Sequence, residues 1–318
     1  MDAWCITEGK AGMINQVEGL ANALGASYVH LSVRLRPLWR FLPNGMYPSP
    51  RYAIENIQEF SPSKCPSLVI TCGKRSVYAS LYLKSHLRDR VTTIHIQNPN
   101  IAPSYFDYII APRHDRLSGS NVISSQLALN HITQGRLTAA AQQLNTHFKL
   151  PPRSLTLVIL GGINRHFHFT VDAMSTLKSQ LAQHIQDDNA YCVIVPSRRT
   201  PTPIIEDLKL WSQTTAHSQL WLDSRINPYL GLLSQCDRTI ITGDSSSMIS
   251  ESITAKKPTY IFQLPPKRRV SRITEFHRTI FTMAWAHPLS LPLPPCRLLN
   301  TPETQSIAHY LRTQLAGV

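Results

Sequence analysis

The sequence lacks the marks of several large protein classes. No stretch approaches the roughly 18 to 20 uninterrupted apolar residues that a membrane-crossing helix needs. The opening residues Met1-Asp2-Ala3-Trp4-Cys5 run straight into a strand-like segment without a basic leader, so the expected compartment is cytoplasmic. None of the six cysteines (Cys5, Cys65, Cys72, Cys192, Cys236, Cys296) stands in a C-x-x-C pair. That removes the common zinc and dithiol frameworks, and the thiols read as small, reduced hydrophobes. There is no helix-turn-helix, RNP-like or zinc signature, internal repeat or low-complexity tract. Acidic residues are scarce: 19 Asp and Glu face 32 Lys and Arg, a net charge of +13 that both halves share. Such an excess suits phosphorylated ligands, anionic lipid or nucleic acid. With no nucleic-acid motif in the chain, the last is not expected.

What is present is a globular composition, 42% apolar and 16% charged, over 318 residues, enough for two domains of roughly 150 residues. Short apolar runs at 3–7, 28–33, 67–71, 91–96 and 108–111 read as strands. Helical spacing at 15–24 (Val17, Leu20, Ala21, Leu24, ending at Gly25) and at 76–86 lies between them. A second series of strands at 155–160, 191–195, 239–242 and 259–262 alternates with helices at 171–186, 204–214 and 247–255. This alternation predicts parallel sheets covered on both faces. The fold class is α/β, two Rossmann-like domains facing a cleft. Pro151-Pro152 before a new strand places the border between domains 1–150 and 151–318. A closing helix at 304–314 is assigned to the second domain.

In parallel α/β sheets ligands bind beyond the carboxyl ends of the strands. Gly161-Gly162-Ile163-Asn164 follows the first strand of the second half; paired glycines let a backbone approach a phosphate with free N–H donors, or simply make a tight turn. Ser197-Arg198-Arg199-Thr200 follows the next, with guanidinium forks suited to a pyrophosphate or merely solvated. Gly243-Asp244-Ser245-Ser246-Ser247-Met248 then leads into a helix bearing Glu251, placing hydroxyls and amides where the helix dipole favours an anion. Glu251 fits a ribose; the alternative is a capping box. Asn227, before Pro228, edges the base or caps a helix. His166 and His168 are too isolated for a metal site, Asp187-Asp188 reads as solvated, and no carboxylate pair suggests a divalent ion. Metal and cofactor are therefore expected to be absent.

These residues carry a resemblance that runs nearly the whole length. Gly9-Lys10-Ala11-Gly12 with Asn15-Gln16, Gly19-Leu20-Ala21 and Leu24-Gly25, Cys72-Gly73-Lys74-Arg75, Phe106-Asp107 and Pro112-Arg113-His114-Asp115 match in the first half. Gly161-Gly162, Ser197 to Pro201, Asn227-Pro228-Tyr229 and Asp244 to Met248 with Glu251 match in the second. The chain resembles the bacterial glycosyltransferases grouped with the plant elongated-mitochondria fission factor. The resemblance implies a GT-B-like fold, the donor nucleotide in the C-terminal domain, and a hexosyltransferase-like, metal-independent enzyme of lipopolysaccharide or lipooligosaccharide core assembly. The plant member, a membrane-surface adaptor that recruits a dynamin-like protein, implies the alternative, a non-catalytic role. Met13-Ile14 departs from the family, where polar residues are usual.

Glycosyl transfer with inversion needs a base at the acceptor hydroxyl and cations at the leaving diphosphate. Glu8, His114 and Asp115 are the candidate bases; for His114 and Asp115 the alternative is that they only brace a loop. Lys10, Gly12, Asn15, Gln16, Gly73, Lys74 and Arg75 form the acceptor side, facing a lipid-linked saccharide. Arg34, Arg36, Trp39, Arg40 and Phe41 mix cations with aromatics in a manner that suits an anionic membrane surface; a second basic cluster, Lys267-Arg268-Arg269 and Arg272, fits the same surface or is simply solvated. Together they imply a peripheral position at the inner face of the cytoplasmic membrane.

Overall fold

The computed structural model describes residues 1–40, 50–267 and 272–315. The chain divides into two compact units, Met1–His131 with Thr301–Val318, and Ile132–Asn300.

The first unit runs through β1 (Asp2–Thr7), α1 (Ala11–Leu24), β2 (Ser27–Ser32), the one-turn α2 (Pro50–Ala53), β3 (Leu68–Cys72), α3 (Val77–Leu87), β4 (Thr92–Ile96), β5 (Tyr108–Pro112) and β6 (Val122–Ser125), and closes with α10 (Glu303–Leu315). Its sheet is parallel throughout, in the order β2-β1-β3-β4-β5-β6. Alternate residues of β1 go to opposite faces, as the pleat requires. Cys5 joins Val17, Leu20, Ala21 and Leu24 of α1, whereas Ile6 joins Tyr78, Ala79 and Leu83 of α3. The helical stripe of α1 is the one its sequence spacing predicts, and Gly25 ends it in the left-handed region at φ 75°.

The second unit runs through α4 (Gln134–Asn145), β7 (Ser154–Leu160), α5 (Val171–Asp187), β8 (Ala190–Pro196), α6 (Thr202–Thr214), β9 (Ser218–Leu220), α7 (Tyr229–Gln235), β10 (Arg238–Thr242), α8 (Ser246–Thr254), β11 (Thr259–Phe262), α9 (Arg272–Thr282) and β12 (His287–Pro288). Its parallel sheet has the order β12-β11-β10-β7-β8-β9, the doubly wound order of dinucleotide-binding folds. Order reverses between β7 and β10 in this unit and between β1 and β3 in the first. Each reversal opens a crevice at the strands' carboxyl ends, where ligands bind in such sheets.

The border differs from the expected 150/151, and α10 belongs to the first unit. Ile307, Ala308 and Leu311 bury against the α1 core. Burying Ile307 and Leu311 stabilises the packing by about 1.5–3 kcal/mol each. The Glu303 carboxylate accepts the N–H groups of Gln126 and Leu127 at 2.7 and 2.6 Å, and Thr304 Oγ1 accepts that of Asn130. In turn α4 packs on α7 of the second unit, so Pro151-Pro152 marks only the end of a helical connection. The unread strands β6, β9 and β12 are short and largely half-exposed, without the apolar run by which a buried parallel strand is recognised.

In the basic-aromatic segment Trp39 is partly buried against the α3-side core, and Arg34 pairs with Glu59 at 3.6 Å. Arg36 is exposed; Phe41, Arg268 and Arg269, with the side chain of Arg40, lie outside the described residues. Among the described residues no helix is long and apolar enough to cross a membrane.

Candidate functional site

In the second unit the predicted residues converge on the β7/β10 switch point. Strand β7 delivers Gly161-Gly162, β8 delivers Ser197-Arg198-Arg199, and β10 delivers Gly243-Asp244 at the head of α8. The Gly161 N–H donates to Thr242 Oγ1 at 2.8 Å and the Gly162 N–H to Asp244 Oδ2 at 2.9 Å. The Thr242 hydroxyl donates to Asp244 Oδ1 at 2.7 Å. Arg199 Nη2 reaches Asp244 Oδ2 at 3.3 Å, Asn164 Nδ2 donates to the Asp244 carbonyl, and Ser197 Oγ to the Gly161 carbonyl. Asp244 is thus a buried knot. Burial raises its carboxyl's pKa, against the opposing pull of the Gly162 N–H, Thr242 and Arg199.

This geometry corrects the reason for the paired glycines. Their N–H groups are not free for a phosphate but are consumed by Thr242 and Asp244. A Cβ on Gly161 would lie 2.1 Å from the Asp244 carboxylate oxygens, and one on Gly162 would lie 2.0 Å from the Arg199 carbonyl oxygen. The glycines are required because β7, β8 and β10 loops pack this closely.

What the knot leaves for a ligand surrounds it. Arg198 is exposed, and Arg199 is half-exposed along its side chain while paired to Asp244. Ser245 Oγ accepts the Met248 N–H at 3.5 Å as the cap of α8; Ser246 and Ser247 follow, partly exposed, in the first turn. That turn presents amides at the positive end of the helix dipole.

Glu251, one turn deeper, is buried and accepts the Tyr229 hydroxyl at 2.7 Å. Burial, followed by this carboxylate, pushes the Tyr229 hydroxyl well above its ordinary pKa. Asn227 Oδ1 accepts the Tyr229 N–H at 3.1 Å, one residue ahead of the N-cap position Pro228, and so orients the same tyrosine. Sequence reasoning missed this link, although Tyr229 stands two positions from Asn227.

It also missed His277 on α9. This histidine is 6% exposed, surrounded by Phe167, Phe276 and Phe281, and its ring packs on Gly243, where a Cβ would lie 2.8 Å from Cε1. Burial lowers its pKa to about 4, so it is neutral at physiological pH. The only sequence signal was its place in the apolar stripe of α9 beside Phe276.

In the first unit Glu8 lies past β1, its side chain 6% exposed. Lys10 Nζ approaches it at 3.1 Å and Arg75 Nε at 3.7 Å. Gly73, past β3, has φ 93°, a conformation glycine adopts without penalty. Gln16 donates to the Gly12 carbonyl within α1, Asn15 is half-exposed, and Lys74 is exposed. Glu8, Lys10, Gly73 and Arg75 are therefore brought together. His114 and Asp115 are not among them. They form a helical turn after β5, three strands from β1, about 14 Å at the usual strand spacing. Among the described residues no three His, Cys, Asp or Glu side chains gather as metal ligands.

Residues 11–315 match the family described as mitochondrial fission ELM1. An uncharacterized protein of Rickettsia prowazekii is 28% identical over 305 residues, covering 83% of this chain and 84% of the relative. The solved UDP-GlcNAc 2-epimerase from Methanocaldococcus jannaschii superposes with a TM-score of 0.58 at 12% identity, covering 98% of this chain and 100% of its own. The glycosyltransferase SnogD from Streptomyces nogalater gives 0.51 at 15%, covering 99% and 95%. At these identities the likeness is one of fold, and the fold is GT-B-like.

Proposed function

The chain belongs to the mitochondrial fission ELM1 family, and we propose that it is a glycosyltransferase whose second unit holds a nucleotide sugar at the β7/β10 switch point. The observation that carries this reading is the pre-ordered Asp244 knot, ringed by Arg198, Arg199, Ser246 and Ser247 at the start of α8. A diphosphate needs cations and N–H donors already in place, because the charge that develops as the sugar departs is stabilised best by groups that need no rearrangement. Arg198 takes the diphosphate from the β8 side and the α8 amides take it along the helix axis. Glu251, fixed by Tyr229, faces the ribose. The structures named above, with a nucleotide-sugar epimerase and a glycosyltransferase among them, support a sugar nucleotide as the ligand class.

In the first unit Glu8 is our choice of base over His114 and Asp115, since it alone stands at the switch point with Lys10 and Arg75. Those cations suit an anionic, lipid-linked saccharide of the cell envelope as acceptor. Glu8→Gln is expected to abolish turnover and to leave nucleotide affinity unchanged; full turnover in that variant removes the assignment. The family description, mitochondrial fission, agrees with a second reading, the non-catalytic adaptor implied by the resemblance to the plant member. A panel of nucleoside diphosphates and nucleotide sugars in a thermal-shift assay separates the two, because a ligand raises stability by RT ln(1 + [L]/Kd). No shift with any nucleotide at millimolar concentration supports the adaptor.

A further inference from the structure

The turn after β4 carries a side chain that the fold does not use. Gln97, the first residue past β4, has φ 81°, the largest value of any non-glycine among the described residues. That region is costly for a residue with a Cβ. Gly9 past β1 and Gly73 past β3 turn at φ 84° and 93°, and there the chain has glycine, which adopts such angles freely. At the third strand end it keeps a glutamine. A turn alone would not select that residue, because glycine or asparagine makes it with less strain. Nothing in the protein offsets the cost. The Gln97 N–H donates to the Ile110 carbonyl at 2.8 Å, which a glycine would do equally. The carboxamide has no hydrogen-bond partner among the described residues, and the residue is half-exposed, so a solute can reach it. The turn beyond is held in shape: Asn98 Oδ1 accepts the Asn100 N–H at 2.8 Å, and the Asn100 amide donates back to the Asn98 carbonyl.

Glu8 stands in the same row of strand ends. The register pairs Ile6 with Thr71 and Cys72 with Ile96, so Glu8, Gly73 and Gln97 follow one another across β1, β3 and β4. Two strand spacings, about 10 Å, separate the Glu8 and Gln97 backbones. Gly73 lies between them. Its N–H donates to the Ile96 carbonyl at 3.4 Å, and a Cβ on it would lie 3.3 Å from Glu8 Oε1 and 2.7 Å from Met13 Sδ. The middle of the row is thus covered by an apolar thioether, with a carboxylate at one end and a carboxamide at the other. A carboxamide both donates and accepts, as a pair of neighbouring hydroxyls requires, whereas an anionic group is served by Lys10 and Arg75. A sugar ring, hydroxylated at its edge and C–H at its face, fits that sequence of surfaces.

We propose that Gln97 is a positioning residue for the acceptor, its carboxamide holding hydroxyls of the acceptor saccharide while Glu8 faces the hydroxyl that reacts. The proposal rests on the glycosyltransferase reading above. The strain at Gln97 is then the cost of presenting an amide where glycine would present none.

Calorimetric titration of the core oligosaccharide of deacylated lipopolysaccharide into the full chain tests it, with UDP-N-acetylglucosamine titrated separately and thermal unfolding measured alongside. Gln97→Gly removes both the amide and the strain, while Gln97→Ala removes the amide and keeps the turn restricted. Both variants are expected to bind the oligosaccharide about tenfold more weakly than wild type, the scale of one hydrogen bond. Both are expected to keep their affinity for UDP-N-acetylglucosamine within about twofold. Gln97→Gly is expected to melt at or above the wild-type temperature. Wild-type affinity for the oligosaccharide in either variant overturns the proposal, as does an equal loss of UDP-N-acetylglucosamine affinity. A lower melting temperature for Gln97→Gly assigns the side chain to the fold and overturns it too. Wild-type protein that binds UDP-N-acetylglucosamine but not the oligosaccharide overturns the envelope-saccharide acceptor, and the proposal with it. Binding of neither ligand overturns the glycosyltransferase reading itself.

Discussion

The two switch points occupy the same place in similar sheets and are built in opposite ways. At β7/β10 the central carboxylate, Asp244, is sealed in. Its oxygens are engaged by Gly162, Thr242 and Arg199, and the cations and hydroxyls suited to a ligand stand outside the knot. At β1/β3 the central carboxylate, Glu8, pairs among the described residues with Lys10 and Arg75, whose side chains reach solvent. One carboxylate organises a scaffold, while the other has partners that a substrate can displace. Under the proposed function, the same topology serves a rigid crevice for the donor and an adaptable one for the acceptor.

The largest effect follows from breaking the sealed knot. Asp244→Ala strands the Gly162 N–H and empties a buried site, and is expected to destabilise the second unit by about 3–5 kcal/mol. Gly161→Ala, which drives a Cβ into the same carboxylate, belongs at about 3 kcal/mol. Denaturant unfolding of both variants measures this, and changes below about 1 kcal/mol would dissolve the contrast.

Acid comes next. His277 has its pKa lowered from 6.5 to about 4, so the unfolded chain binds a proton that the folded one refuses. Its contribution is full above about pH 6.5 and is lost as pH falls toward 4, a loss of about 3 kcal/mol. His95, buried in the first unit and lowered to about 3, acts in the same direction. Unfolding at pH 7 and pH 4.5 should show a smaller acid loss in His277→Asn than in wild type; equal losses would contradict the burial argument.

Tyr229→Phe removes the hydroxyl from Glu251 and is expected to cost about 1–3 kcal/mol in unfolding free energy. Glu8→Gln closes the series. Its side chain is buried, but Gln keeps its shape and the Lys10 and Arg75 side chains left behind reach solvent, so a change of about 1 kcal/mol is expected, together with loss of turnover. A stability loss as large as that of Asp244→Ala would make Glu8 structural and erase the difference between the two crevices.

Much of this is legible in the amino-acid sequence itself. Buried parallel strands betray themselves as apolar runs, and Gly-Gly, Arg-Arg and the triple serine stand directly past such runs, at β7, β8 and β10. Other features depend on partners remote in sequence. Nothing in Gly161-Gly162 tells that Asp244 crowds it, and the free-amide reading of the glycines failed for that reason. Glu251 needs Tyr229 and His277 needs Gly243, each on a different element. The unit border failed similarly, since a proline pair is a local signal while α10 is claimed by the distant α1 core.

Titration of nucleotide sugars into the wild-type chain and into Arg198→Ala tests the central claim most directly. Arg198 is exposed, so its loss should leave the unfolding free energy within about 0.5 kcal/mol. Saturable binding to the wild type is predicted, weakened about tenfold in the variant by loss of a charge-assisted contact. Equal affinity in the two proteins, or no binding to the wild type at millimolar ligand, would contradict it.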